Sequence, residues 1–195
     1  MTEHYALNDI SSADFPRLEE AGFRLATFDL DSTIIGYGEK NLTPNRIEFF
    51  QNFGRTGILA AIISNPFSEA RTERVRRIAD EISDVMGRKC LSIVPDDVSG
   101  KKKPAPDMFI RALDTTGVSP ESAVHFGDQV RTDNIGAKRA NYRAAVTVAP
   151  MGQGDHPLVK ALNRPLVEPI LRKKYSLPPK VSEFPTSLPD SIYQE

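Results

Sequence analysis

At 195 residues, with 39% apolar and 26% charged side chains, the chain suits one domain with an ordinary core and would be cramped as two. That composition excludes a disordered chain, and a net charge of -1 excludes a general positive field for nucleic acid or an anionic membrane. A single cysteine, Cys90, excludes an internal disulfide and, with no paired histidines near it, a zinc site.

Residues 1–15 are polar and acidic and lack the apolar centre of a signal peptide, and no apolar run is long enough to span a bilayer. A chain of the reducing cytoplasm is expected, and residues 1–21 read as an N-terminal extension. Residues 24–28 then form a short buried strand after Gly22. Thr43-Pro44 starts a helix, by a capping hydroxyl and a proline at the first helical position, and Gly54 ends it. The continuous aliphatic run 58–63 predicts a strand covered on both faces.

The clearest helix follows. Val75, Ile78, Ala79, Ile82, Val85 and Met86 share one face, with Ser68 placed to cap the helix and Gly87 to stop it. Residues 90–94 predict a strand in which Cys90 is a small buried hydrophobe. A helix over 106–116 closes at Gly117, and a strand (123–126), a helix (132–140) and a strand (144–148) complete the series. Strands alternating with single helices require crossover connections, hence an α/β doubly wound parallel sheet of about five strands with helices on both faces. The domain therefore runs from 22 to 150. Residues 151–175 read as a helical segment packed on it, with Pro165 and Pro169 expected to break or kink any helix. The Pro- and Ser-rich residues 176–195 read as a mobile tail or a surface strap.

Ligands of an open parallel sheet bind at the carboxyl ends of its strands. Those ends carry Asp29-Leu30-Asp31-Ser32-Thr33, then Ser64-Asn65, then the Lys101-Lys102-Lys103-Pro104 loop, then Gly127-Asp128 with Asp133 beyond. Two carboxylates ~4 Å apart repel by about 4 kcal/mol at an effective dielectric near 20, so Asp29, Asp31, Asp128 and Asp133 call for a cation or a proton to offset them. An all-oxygen set favours a hard cation such as Mg2+, which shares its shell with substrate phosphate. Lys103 and Ser64 offer charge and a hydroxyl to phosphoryl oxygens, and paired carboxylates divide labour between attack and proton transfer. His125, among apolar strand residues, reads as a core histidine; Lys101 and Lys102 read as surface charge.

These four segments resemble, in order, the signature motifs of the haloacid dehalogenase-like (HAD) phosphatases over roughly residues 22–148. The resemblance implies Asp29 as nucleophile and Asp31 as general acid/base. It further implies Thr33, Ser64, Asn65 and Lys103 at the substrate phosphate. Asp29, Asp31 (through its carbonyl), Asp128 and Asp133 would serve magnesium. Ser64-Asn65, Arg74-Val75, Lys103-Pro104, Thr132-Asp133 and Asn163-Arg164 with Glu168 are similar to the IIIA branch, which includes phosphatidylglycerophosphate phosphatases.

Only one helix and one strand fit between Thr33 and Ser64, and again between Asn65 and the lysine loop, leaving no room for a cap domain. An uncapped site implies a bulky or lipid-linked phosphorylated substrate, without excluding a soluble metabolite, and a neighbouring subunit could complete it. Residues 158–174 join an apolar face to basic residues, which suits peripheral membrane contact, although the prolines favour packing on the domain. A catalytically silent binding protein is the alternative; a signalling receiver would carry its phosphoacceptor where this chain has the lysine loop.

Overall fold

In the computed structural model, residues 1–152 and 159–194 are described. The aliphatic runs form strands β1 (Glu3–Leu7), β2 (Leu25–Phe28), β3 (Leu59–Ile63), β4 (Cys90–Ile93), β5 (Ala123–Gly127) and β6 (Ala144–Val148). All pair in parallel in the order β1-β6-β5-β2-β3-β4. The doubly wound sheet expected from sequence is present, with six strands rather than five. The additional strand lies in the presumed N-terminal extension, where Glu3 to Leu7 pair with Ala144 to Val148. Its first two residues, Glu3 and His4, are polar, and only Tyr5, Ala6 and Leu7 are buried, so it lacks the longer apolar run that marks a covered strand.

Helices α1 (Phe15–Glu20), α2 (Pro44–Phe53) and α3 (Glu69–Met86) cover one face, and α4 (Asp107–Thr116) and α5 (Ile135–Arg139) the other. Strand side chains alternate accordingly: Ala26, Phe28, Ile62 and Phe126 join the first core, and Leu25, Ala61, Ile63 and Ala145 the second. Phe15, Phe28, Phe49, Phe50, Phe53 and Phe126 pack mostly edge to face, with Phe15 and Phe53 at 4.8 Å between centroids. Each such pair adds about 0.5–1.5 kcal/mol beyond its buried area.

Helix signals hold in detail. The Ser68 hydroxyl accepts from the Arg71 amide at 3.4 Å, and Gly87 ends α3 in a left-handed conformation. Thr43 and Pro44 start α2 as expected. The predicted 132–140 helix divides into a π-helical turn, Val130–Asn134, followed by α5. Cys90 is buried, and its thiol is pushed up to about 12 by burial.

Beyond β6 the structure departs from expectation at the prolines. Val159–Val167 is a π-helical segment that contains Pro165, and α6 (Glu168–Lys174) continues directly from it. Pro169 stands in the first turn of α6, where its missing amide has no helical acceptor to serve. Residue 158, the expected start of this segment, lies outside the described residues. The proline-rich tail is a strap: Leu177 and Phe184 pack against Ala6 and Val130, Leu188 and Ile192 reach the larger core, and the Asn8 amide donates to Pro185 O at 2.9 Å. Among the described residues no helix is long and apolar enough to cross a membrane.

Candidate active site

The chain runs from β2 to one side of the sheet and returns, through β4 and α4, to β5 on the other side of β2. Adjacent strands β2 and β5 therefore diverge in connection at their carboxyl ends, which opens a crevice there. Asp29 follows β2 and Asp128 follows β5, both buried. A cavity of about 460 Å³ opens over them, lined by Asp29, Asp31, Ser64, Asn65 and Lys103 among others.

Lys103 is the hub. Its Nζ donates to Asp29 Oδ1 at 2.7 Å and to Asp133 Oδ1 at 2.6 Å, with only 2% of its side chain exposed. The lysine loop is fixed by Asn65, whose side chain accepts from the Lys103 amide at 2.9 Å and donates to the Lys103 carbonyl at 3.1 Å. Asn65 thus touches the cavity but spends its amide on holding Lys103. Asp133 receives the Gln129 amide at 3.0 Å on its other oxygen and lies so close over Gly127 that an added Cβ would meet its Cγ at 2.4 Å. Only glycine leaves room for that carboxylate, and the π-helical turn that carries Asp133 turns it there.

Charge is unevenly held. Asp29 is pushed up to about 7, chiefly by burial, against the pull of Lys103. Asp128 is pushed up to about 8 by burial, against the pull of Arg164. Asp133 is buried too, yet Lys103 and His125 hold it well below the usual carboxylate range. One ammonium cannot neutralise two buried carboxylates, so Asp133 keeps the charge and Asp29 retains affinity for a proton.

Oxygens of Asp29, Asp128 and Asp133 all lie within 4.8 Å of one another. Asp128 Oδ1 is buried with no hydrogen-bond partner among the described residues. An orphaned carboxylate oxygen beside two more hard oxygen donors fits Mg2+. The Asp31 side chain stands outside this set. It receives Arg74 at 2.8 Å and the Gly38 amide at 3.2 Å, with Arg71 at 3.8 Å. Arg74 also donates to Glu39 O at 2.6 Å, tying the loop around Gly36 and Gly38 to α3.

Ser64 is buried at the end of β3 and lines the cavity. Thr33 is buried without lining it; Ser32, in a left-handed conformation (φ 63°), takes that place. His125 is a core histidine as expected, held neutral by burial, but its Nε2 lies 3.4 Å from Asp133 Oδ1 and its Nδ1 2.8 Å from Thr27 Oγ1. Lys101 pairs with Asp107 at 2.6 Å, whereas Lys102 lines the cavity.

The C-terminal segment brings residues that sequence reasoning did not place. Arg164 donates to the Asp128 carbonyl at 2.8 Å and pairs with the Asp128 carboxylate. Asn163 donates to Gln129 Oε1 at 2.9 Å, and the buried Glu168 accepts from the Val130 amide at 3.2 Å and the Arg131 amide at 3.4 Å. The short spacing of Asn163, Arg164 and Glu168 was the available signal; its partners lie some 35 residues away.

The sequence model of the haloacid dehalogenase-like hydrolases matches residues 4–141. The chain belongs to that family. Among curated relatives it is 27% identical over 139 residues to the probable phosphatase YqeG of Bacillus subtilis, covering 71% of this chain and 72% of that one. It is 30% identical over 122 residues to the protein CbbY of Rhodobacter capsulatus, covering 63% of this chain and 52% of the relative. A HAD family hydrolase of Deinococcus radiodurans, solved with bound phosphate and sodium, shares the fold at a TM-score of 0.50 and 17% identity, over 70% of this chain and 85% of that one.

The HAD cluster sets a pH dependence. A carboxylate whose folded pKa is raised stabilises the fold below its unfolded pKa and loses that contribution as pH rises through the folded value. The metal-free protein is therefore expected to lose stability between about pH 4 and pH 8, as Asp29 (about 7) and Asp128 (about 8) ionise. Magnesium requires the ionised forms, so its affinity is expected to rise over pH 6–8. Thermal melts in chelator against pH, with calorimetric titration of Mg2+ at pH 6 and 8, check both; a flat affinity would contradict the assigned ligands.

Proposed function

We propose that this hydrolase is a magnesium-dependent phosphomonoesterase of the uncapped IIIA type, working through an aspartyl-phosphate on Asp29. The observation that carries the reading is the Lys103 bridge between Asp29 and Asp133, at the floor of a cavity that Ser64 and Asp31 also line. The similarity to the Bacillus phosphatase supports it.

In the first step an Asp29 carboxylate oxygen attacks phosphorus as the ester P–O bond breaks, and Asp31 gives its proton to the departing oxygen. In the second, Asp31 takes a proton from water as the water oxygen attacks phosphorus, releasing inorganic phosphate and regenerating the Asp29 carboxylate. Lys103 and the Ser64 hydroxyl donate to phosphoryl oxygens, and Thr33 supports the same loop. Asp29, the Asp31 carbonyl, Asp128 and Asp133 would hold Mg2+, which supplies electrophilic stabilisation of the phosphoryl charge when bound.

A bulky substrate suits the uncapped mouth. A lipid-linked phosphate at an anionic surface is favoured by exposed Leu166 and Ile170 beside Lys173 and Lys174. The test is phosphate release from an aryl phosphate and from phosphatidylglycerophosphate vesicles, with and without chelator. Release abolished by chelator and restored by Mg2+ is expected; release indifferent to chelator would sink the metal assignment. A faster rate on vesicles would select the surface-borne substrate.

A further inference from the structure

The chemistry of the cavity changes from floor to wall. At the floor stand Asp29, Ser64 and Lys103. Above them one part of the lining is apolar, with Tyr37 from the loop after β2, Phe67 from the loop after β3, and Val159, Leu162 and Val167 from the π-helical segment, while Lys102, Gln129, Arg131 and Thr132 line the rest. Leu162 is 53% exposed and Phe67 63% exposed, although both belong to a site otherwise built for a phosphate. Phe67 has Lys102 Nζ at 5.4 Å from its ring centroid, and the exposed aliphatic surface of Leu162 gains roughly 25 cal/mol per Å² when a ligand covers it.

The segment that supplies this wall is anchored. Asn163, one residue from Leu162, is buried and bonded to Gln129 and Glu168, while Glu168 holds the backbone amides of Val130 and Arg131. The wall is thereby coupled to the same turn that carries Asp133. Asn65 is engaged with the Lys103 backbone and Asn163 with Gln129, so the apolar side chains are what this segment adds to the cavity.

Resting on the phosphatase reading, we propose that the C-terminal segment does the work of a cap, and that its wall favours phosphomonoesters whose leaving group presents aryl or alkyl surface. Continuity of the wall with the Asp29 floor in one cavity identifies the occupant as the leaving group of the substrate itself.

Phenyl phosphate and 1-naphthyl phosphate have leaving groups of similar acidity and differ by one fused ring, so their kcat/KM ratio reports apolar contact. The full chain with Mg2+ is expected to favour the naphthyl ester by about tenfold. Leu162→Asp is expected to bring the ratio to within about twofold of one, and Leu162→Met to retain it. A wild-type ratio near one, or a ratio that Leu162→Asp leaves unchanged, would overturn the proposal while leaving the phosphatase reading intact. Failure of the phosphatase reading looks different: neither these esters nor acetyl phosphate would release phosphate, and the proposal would fall with it.

Discussion

Asp29→Asn is expected to lower kcat by about 10⁴-fold or more while leaving the protein folded, because the proposed mechanism passes the phosphoryl group through the Asp29 carboxylate. The amide keeps the shape of the carboxylate but not its nucleophilicity. Stability is expected to change little. The substitution removes a buried carboxylate that already retains affinity for a proton, and Lys103 keeps Asp133 at 2.6 Å as its partner. Single-turnover phosphate release, paired with a thermal melt, separates chemistry from folding. Acid quenching of the wild type during turnover should also trap a phosphorylated aspartate that the variant lacks. Residual activity of a few per cent in the variant would transfer the nucleophile's role elsewhere.

The second large effect concerns folding. Lys103→Met is expected to destabilise the metal-free protein by about 3–5 kcal/mol at pH 7, since it leaves buried Asp133 without its cation. For a chain of this size that corresponds to a fall in Tm of about 6–20 °C. Burial alone would raise Asp133; Lys103 and His125 outweigh it and hold the group low. A depressed carboxylate stabilises the fold above its unfolded pKa and loses that contribution as pH falls through the folded value. The penalty of the variant is therefore largest near neutral pH and shrinks in acid, where Asp133 can take a proton. Saturating Mg2+ should restore part of the lost stability, because the proposed ligands are the same oxygens. A variant that melts like the wild type in chelator would show that Lys103 and Asp133 are not coupled as the distances state.

Both effects depend on groups that the chain order alone separates widely. Asp29 and Lys103 are 74 residues apart, and Lys103 and Asp133 are 30 apart. Their convergence was nevertheless readable, because each follows a strand and parallel strands present their carboxyl ends at one edge. Caps at Ser68 and Thr43 and glycine stops at Gly87 and Gly117 were readable for a different reason: their partners lie within one helical turn.

Where the signal was weak, the cause was the same each time. Strand β1 was hidden because the polar Glu3 and His4 cut its buried run to three residues, and its partner lies about 140 residues away. Pro165 and Pro169 suggested a broken helix, whereas the wider π-helical turn and a first-turn position accommodate them. Asn65 read as a substrate ligand because it neighbours Ser64, and only the fold reveals that its amide clamps the Lys103 backbone. By itself the sequence determined strands β2 to β6 and the caps, the parallel sheet and the acidic set with its lysine, since these follow from local hydrophobic period and from strand ends. Tertiary structure decided what no local pattern encodes: the sharing of one ammonium by two buried carboxylates, the holding of Asp31 by Arg74, and the return of Asn163 and Glu168 to wall the site.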